Sequence, residues 1–127
     1  MVQRIILIGI AGGAGALSRY GLSSAMHWGF GKDMPWGTMA VNIIGCFLFG
    51  LVTILVKERL NLSTEYELIL LTGFMGAFTT FSTYMFETHQ LLDQGRYVHA
   101  VLNLGIQNLV GLAALIGGVA AGKALPF

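Results

Sequence analysis

Charge is scarce in this chain. Asp, Glu, Lys and Arg make up 10% of its 127 residues, where a soluble domain carries roughly 25%, so a globular surface cannot be clothed in polar groups. A formal net charge of +1, with no basic cluster, excludes a nucleic-acid partner. Cysteine is nearly absent too. Cys46 stands alone inside an apolar run, which excludes a disulfide framework and makes it a small buried residue. His27, His89 and His99 lie near the ends of apolar runs without the spacing of metal ligands, so they read as interfacial. No serine, cysteine or histidine constellation suits nucleophilic catalysis, and the chain is not expected to be an enzyme.

What is present is apolar and rich in glycine: 55% hydrophobic residues and 18 glycines. The apolar runs are long and continuous rather than alternating, the pattern of membrane-spanning helices and not of a barrel. Four spans are expected, at about 3–27, 37–56, 66–92 and 97–125, making one domain over 1–127. The first resembles a secretory signal but has no convincing cleavage site, and is expected to be retained. Its polarity is interrupted at Ser18-Arg19-Tyr20. Small residues four apart, Gly9 with Gly13 and Ala11 with Gly15, allow close helix approach. Gly13-Ala14-Gly15 is no dinucleotide loop, because Ser18 stands where a third glycine is required.

Trp28 and Trp36 flank a short polar loop, as in an interfacial aromatic belt. Ser63 or Thr64 can cap the third span, with Glu65 and Glu67 in its first turn, where the helix dipole favours acids. Arg4, Lys57, Arg59 and Lys123 fall at one end of the spans, Lys32 and Arg96 at the other. Four against two is a weak orientation signal, compatible with insertion both ways. So small a bundle has little interior for its polar positions, so oligomerisation is expected.

Few polar side chains lie at membrane depth. Arg19 either faces a cavity or snorkels to the interface. Asn42, one turn after Thr38, either bridges two helices or serves a polar path. Glu87 is the one acid well inside a span, and could be a protonation site or a carboxylate beside a wet vestibule. Span four carries Asn103, Gln107 and Asn108.

The densest signal is residues 72–84, TGFMGAFTTFSTY, in span three. Two glycines and a cluster of hydroxyls there predict a helix broken near Gly76–Thr83, tolerable in a membrane only where protein or a polar cavity covers the freed backbone. Phe78, Phe81 and Tyr84 recur three apart, interleaved with Thr79, Thr80, Ser82 and Thr83. Packing accounts for most membrane aromatics, but ring edges carry positive quadrupole charge and can attract a small anion without trapping it.

The run from Gly73 to Thr83, with Tyr84 and with Glu87 in the acid's place, resembles the G-F-x-G-G-x-T-T-F-S-T-[FY]-x-x-E signature of the Fluc-type fluoride channels. Gly37-Thr38-Met39-Ala40-Val41-Asn42, after Trp36, is similar to that family's G-T-x-x-x-N, and Gly12 to Arg19 to its first-span pattern, so the resemblance covers nearly the whole chain. It implies an all-α membrane protein of four transmembrane helices per subunit, paired as an antiparallel, dual-topology homodimer in the cell's inner membrane. Two fluoride pathways would run along the subunit interface and lower cytoplasmic fluoride by passive export.

By the same resemblance Phe81 and Tyr84 would be the aromatic pair of the pore, Asn42 would bind the ion, and Ser82, Thr83 and Thr38 would line its path. Arg19 would sit at the vestibule, and Glu87 and Gln107 would belong to the polar track. A structural sodium ion would be held at the dimer centre by backbone carbonyls of Gly76 and Thr79 from both subunits. Three positions depart from the pattern: Ala77 replaces a glycine, Tyr84 adds a hydroxyl where phenylalanine is usual, and Asn103, Gln107 and Gly111 replace span-four hydroxyls. Two rival functions fit the residues: a small proton-coupled exporter working through Glu87, and a non-conducting membrane partner subunit.

Overall fold

The computed structural model describes the whole chain, Met1–Phe127, and is entirely helical. Four helical spans are long and apolar enough to cross a membrane: Val2–Phe30, Trp36–Arg59, Thr64–Asp93 and Tyr97–Ala124. Helix α1 is Val2–Phe30, and α2 is Trp36–Ile54, extended by a π-helical turn at Leu55–Arg59. The third span is in two pieces. Its first, α3 (residues 64–78), opens with Thr64–Glu67, widens into π-helical Leu68–Met75 and ends with Gly76–Phe78. Its second, α4, is Phe81–Asp93, and α5 is Tyr97–Ala124.

Ser18, Arg19 and Tyr20 interrupt only the polarity of α1, not its backbone, because none of the three lacks an amide or demands an unusual dihedral. At the start of α3, Ser63 is the cap residue with extended backbone, but its hydroxyl caps nothing. Its carbonyl accepts instead from the amides of Tyr66 and Glu67, at 3.1 and 3.3 Å. Glu65 and Glu67 lie in the first turn, and Glu67 also meets Lys57 at 2.9 Å.

Close helix approach follows the glycines, though not all of them. Along the α2–α5 seam, a Cβ on Gly118 would run into the carbonyl oxygen of Phe47. Along the α1–α3 seam, one on Gly15 would run into the carbonyl of Phe74. Of the two small-residue stripes on α1, only Ala11 with Gly15 is used inside the subunit. A Cβ on Gly9 or Gly13 would meet nothing within 4 Å outside its own helix.

Between these seams Val41, Leu71, Met75 and Phe78 form the buried apolar cluster. Only 24 of 127 residues are buried, and Ile6, Ile10, Leu17, Leu109, Leu112 and Ile116 face outward. An apolar exterior, with the buried polar side chains Thr38, Thr88, Asn103 and Gln107 turned inward, suits hydrocarbon as the surrounding medium. The chain is a multi-pass membrane protein.

The two ends of the bundle are tied by arginines. Arg59 donates to the carbonyls of Lys123 and Leu125, and Arg96 to the carbonyl of Asp33. Those contacts put Lys57, Arg59 and Lys123 at one end and the neighbourhoods of Lys32 and Arg96 at the other.

Candidate functional site

The third span breaks at Thr79 and Thr80, the two residues between α3 and α4. Both are extended, with φ −86°, ψ 159° at Thr79 and φ −148°, ψ 114° at Thr80. An extended pair inside a span frees backbone groups that lipid cannot satisfy, at several kcal/mol each. Asn42 on α2 supplies the missing partners. Its Oδ1 accepts from the Thr80 amide at 2.8 Å, and its Nδ2 donates to the Thr80 carbonyl at 3.1 Å. The side-chain amide thus pairs with both main-chain polar groups of one residue, as a neighbouring strand would. Thr80 in turn caps α4, its hydroxyl accepting from the Thr83 amide at 3.4 Å and donating to the Thr83 hydroxyl at 2.9 Å.

This arrangement redirects two amide protons. In a continuous helix the Thr80 amide would bond to the Gly76 carbonyl, and the Thr83 amide to that of Thr79. Here the first goes to Asn42 and the second to Thr80's hydroxyl. Gly76 and Thr79 therefore each have a carbonyl without its helical donor, and an electropositive group can occupy that place. Ala77, between them, directs its methyl toward Gly15 of α1, where a Cβ would lie 3.2 Å away.

Asn42 also starts a directional ladder. Its Nδ2 donates to Gln107 Oε1 at 2.7 Å, and Gln107 Nε2 to Asn103 Oδ1 at 2.9 Å. Asn103 Nδ2 then donates to Thr88 Oγ1 at 2.9 Å, and Thr88 to the carbonyl of Tyr84 at 2.8 Å. The ladder is uncharged and buried at Asn103, Gln107 and Thr88. Both Asn42 amide protons are engaged, so an anion at this residue must take one from Thr80 or Gln107.

Two clefts flank the break and share Thr80. One, of about 420 Å³, is lined by Arg19, Ser23, His27, Thr38, Thr83 and Glu87. The other, of about 410 Å³, is lined by Asn42, Cys46, Phe81, Tyr84, Gln107 and Asn108. The structure thus divides the sequence-derived positions into two groups: Arg19, Thr38, Thr83 and Glu87 on one side, Asn42, Phe81, Tyr84 and Gln107 on the other. Ser82 lines neither cleft and is exposed at the start of α4.

Phe81 and Tyr84 meet edge-on, with ring centroids 5.9 Å apart and planes at 76°. Their surroundings differ, since Phe81 is 73% exposed and Tyr84 only 4%. The Tyr84 hydroxyl donates to the Leu104 carbonyl at 3.2 Å and accepts from Asn108 Nδ2 at 2.8 Å. Its proton is committed to the subunit's own backbone. On the other side, Glu87 Oε1 accepts from the Thr38 hydroxyl at 2.9 Å, while its Oε2 is buried with no donor.

Thr88, which joins the ladder, was not singled out from the sequence, and Asn103 and Asn108 were noted only as polar residues of span four; the structure puts Asn103 in the ladder and Asn108 on Tyr84. The spacing Asn103–Gln107 is a legible i, i+4 pair, and Thr88 follows Tyr84 by the same interval. Only the packing of α2, α4 and α5 connects them. His27, read as interfacial, lines the first cleft.

Comparison with known proteins agrees over the same span of chain. The family description "CrcB-like protein, Camphor Resistance (CrcB)" matches residues 6–119. A protein of Solidesulfovibrio magneticus named fluoride-specific ion channel FluC is 52% identical over 97% of this chain and 98% of its own length. Proteins of the same name from Maridesulfovibrio salexigens and Nitrosococcus oceani are 48% and 47% identical. They match over 96% and 93% of this chain and 97% and 94% of their own lengths. A helix broken between two clefts, a family match across all four spans and relatives aligned end to end lead to one conclusion: the chain belongs to the CrcB-like family.

Proposed function

We propose that this protein is a fluoride channel and not an enzyme, releasing cytoplasmic fluoride passively across the inner membrane. The observation that carries the reading is the break at Thr79–Thr80, held open by Asn42 between two clefts. The names of its close relatives point to the ion. On this reading 1–127 is one channel domain that pairs with an antiparallel copy of itself, giving two pores at the subunit interface.

Each residue's part follows from its chemistry. Phe81, exposed, and Tyr84, behind it, offer ring edges along the path. Asn42 gives the ion an amide proton by exchange with Thr80 or Gln107, so binding stays weak enough for release. Thr38, Ser82 and Thr83 contribute hydroxyls, Gln107 orients Asn42, and Arg19 and Glu87 set the charge of the vestibule. The carbonyls of Gly76 and Thr79, having lost their helical donors, suit a hard cation such as sodium. Held between two copies, that ion would fix the dimer.

Purified protein in liposomes tests the reading. Under a potassium gradient with valinomycin, fluoride should leave rapidly while chloride stays; intact dimers that release no fluoride would refute it. Phe81→Ile and Asn42→Asp should each slow efflux by an order of magnitude or more, and Glu87→Gln by less. The reverse order favours proton-coupled export through Glu87, a reading supported by its unpartnered Oε2.

A further inference from the structure

His27 has no part in the pathway as described, yet it lines two clefts at once. Outside the Arg19 cleft lies a smaller one, of about 190 Å³, between the α1–α2 loop and the α4–α5 turn. The two clefts share His27 and Glu87 and no other residue. His27 is in the last turn of α1. Gly37, at the start of α2, lets that helix close on the ring, since a Cβ there would lie 3.0 Å from Cε1. Opposite, Glu87 has one oxygen held by Thr38 and the other buried without a donor. An anion moving between the clefts must pass a carboxylate with no cation bonded to it.

We infer that His27 is a further residue of the ion path, its imidazolium offsetting the Glu87 carboxylate at the neck between the two clefts. With the ring neutral, the anion meets an uncompensated negative charge and flux falls. The inference rests on the fluoride-channel reading. The other charges facing this neck are Arg19 from α1, Lys32 and Asp33 from the loop, and Arg96 from the turn, while α2 contributes only the hydroxyl of Thr38. The Lys57–Glu67 ion pair and the His89–Asp93 contact lie elsewhere, and Arg96 binds the carbonyl of Asp33 rather than its carboxylate. Arginine, lysine and aspartate ordinarily keep their charge near neutral pH, whereas histidine is the side chain that gains or loses one there. Glu87, with Oε2 buried and without a donor, is the other group of the neck whose charge can change. The histidine is therefore the switchable cation of the group.

Fluoride efflux from liposomes across pH 5.5 to 8, equal on both sides, tests this, with the leak of protein-free vesicles subtracted because neutral hydrogen fluoride crosses lipid. The wild type should lose flux several-fold as pH rises. His27→Gln should be slow and level with pH, His27→Lys fast and level, and His27→Asn provides a second neutral variant should the first fail to fold. A level wild-type profile, or a slope that survives in the neutral variants, overturns the inference while leaving the channel reading intact. No fluoride efflux from the wild type at any pH overturns both.

Discussion

At the scale of single residues, magnitudes decide what Asn42 is for. An amide that only bridges two membrane helices contributes about 0.6 kcal/mol on average. Asn42 instead covers both polar groups of Thr80, and leaving either unpaired at membrane depth costs several kcal/mol. The Thr80 hydroxyl, by contrast, is a helix cap, worth ~1 kcal/mol. Asn42→Ala should therefore lower the melting temperature in detergent well beyond Thr80→Ala, and equal losses would contradict the pairing described. Asn42→Asp should be worse for flux than its size suggests, because it replaces two donors with an acceptor facing the acceptors Thr80 O and Gln107 Oε1.

At the scale of elements, the bundle is set by seams where small residues meet backbone. Gly118 abuts the Phe47 carbonyl, and a main-chain atom cannot swing aside as a side-chain tip can. Gly118→Ala should destabilise the subunit by separating α5 from α2. Gly9→Ala, with nothing within 4 Å, should be neutral or stabilising, by up to ~1 kcal/mol of helix propensity. Thermal unfolding should come at a lower temperature for Gly118→Ala and no lower than wild type for Gly9→Ala. The same contrast explains a partly fulfilled expectation: both stripes on α1 have suitable spacing, but only the one facing α3 is buried in the subunit. The widened π-helical turns at Leu55–Arg59 and Leu68–Met75 leave no trace in the composition, since a wider turn shifts the register of the residues that follow and not their identity.

At the scale of the whole molecule, the apolar exterior and the outward Phe81 are the surfaces that the second subunit of the proposed dimer would cover. Dual insertion is checked in cells by placing a single cysteine at Lys32 in a Cys46→Ala background. A membrane-impermeant reagent should reach about half of the molecules, and labelling of all or none would exclude antiparallel pairing. Replacing sodium by a large organic cation should lower the dimer fraction in detergent and slow fluoride efflux, whereas unchanged dimers would argue against a cation at Gly76 and Thr79.

The sequence alone determined the membrane class, the four spans and the location of the break. These depend on local properties: unbroken apolar length, and glycines and hydroxyls concentrated at one depth. Through resemblance it also named Arg19, Thr38, Thr83 and Glu87 of one cleft and Asn42, Phe81, Tyr84 and Gln107 of the other, but not Ser23, His27, Cys46 or Asn108. Only the tertiary structure decided how they are grouped. Whether Asn42 faces Thr80 or lipid, whether the Tyr84 proton is free or bound to Leu104, and whether His27 faces the interface alone or lines two clefts depend on which helix faces pack together. Hydropathy gives each helix its depth and leaves its rotation open, and that rotation is fixed by close contacts such as Gly118 on Phe47 and Gly15 on Phe74.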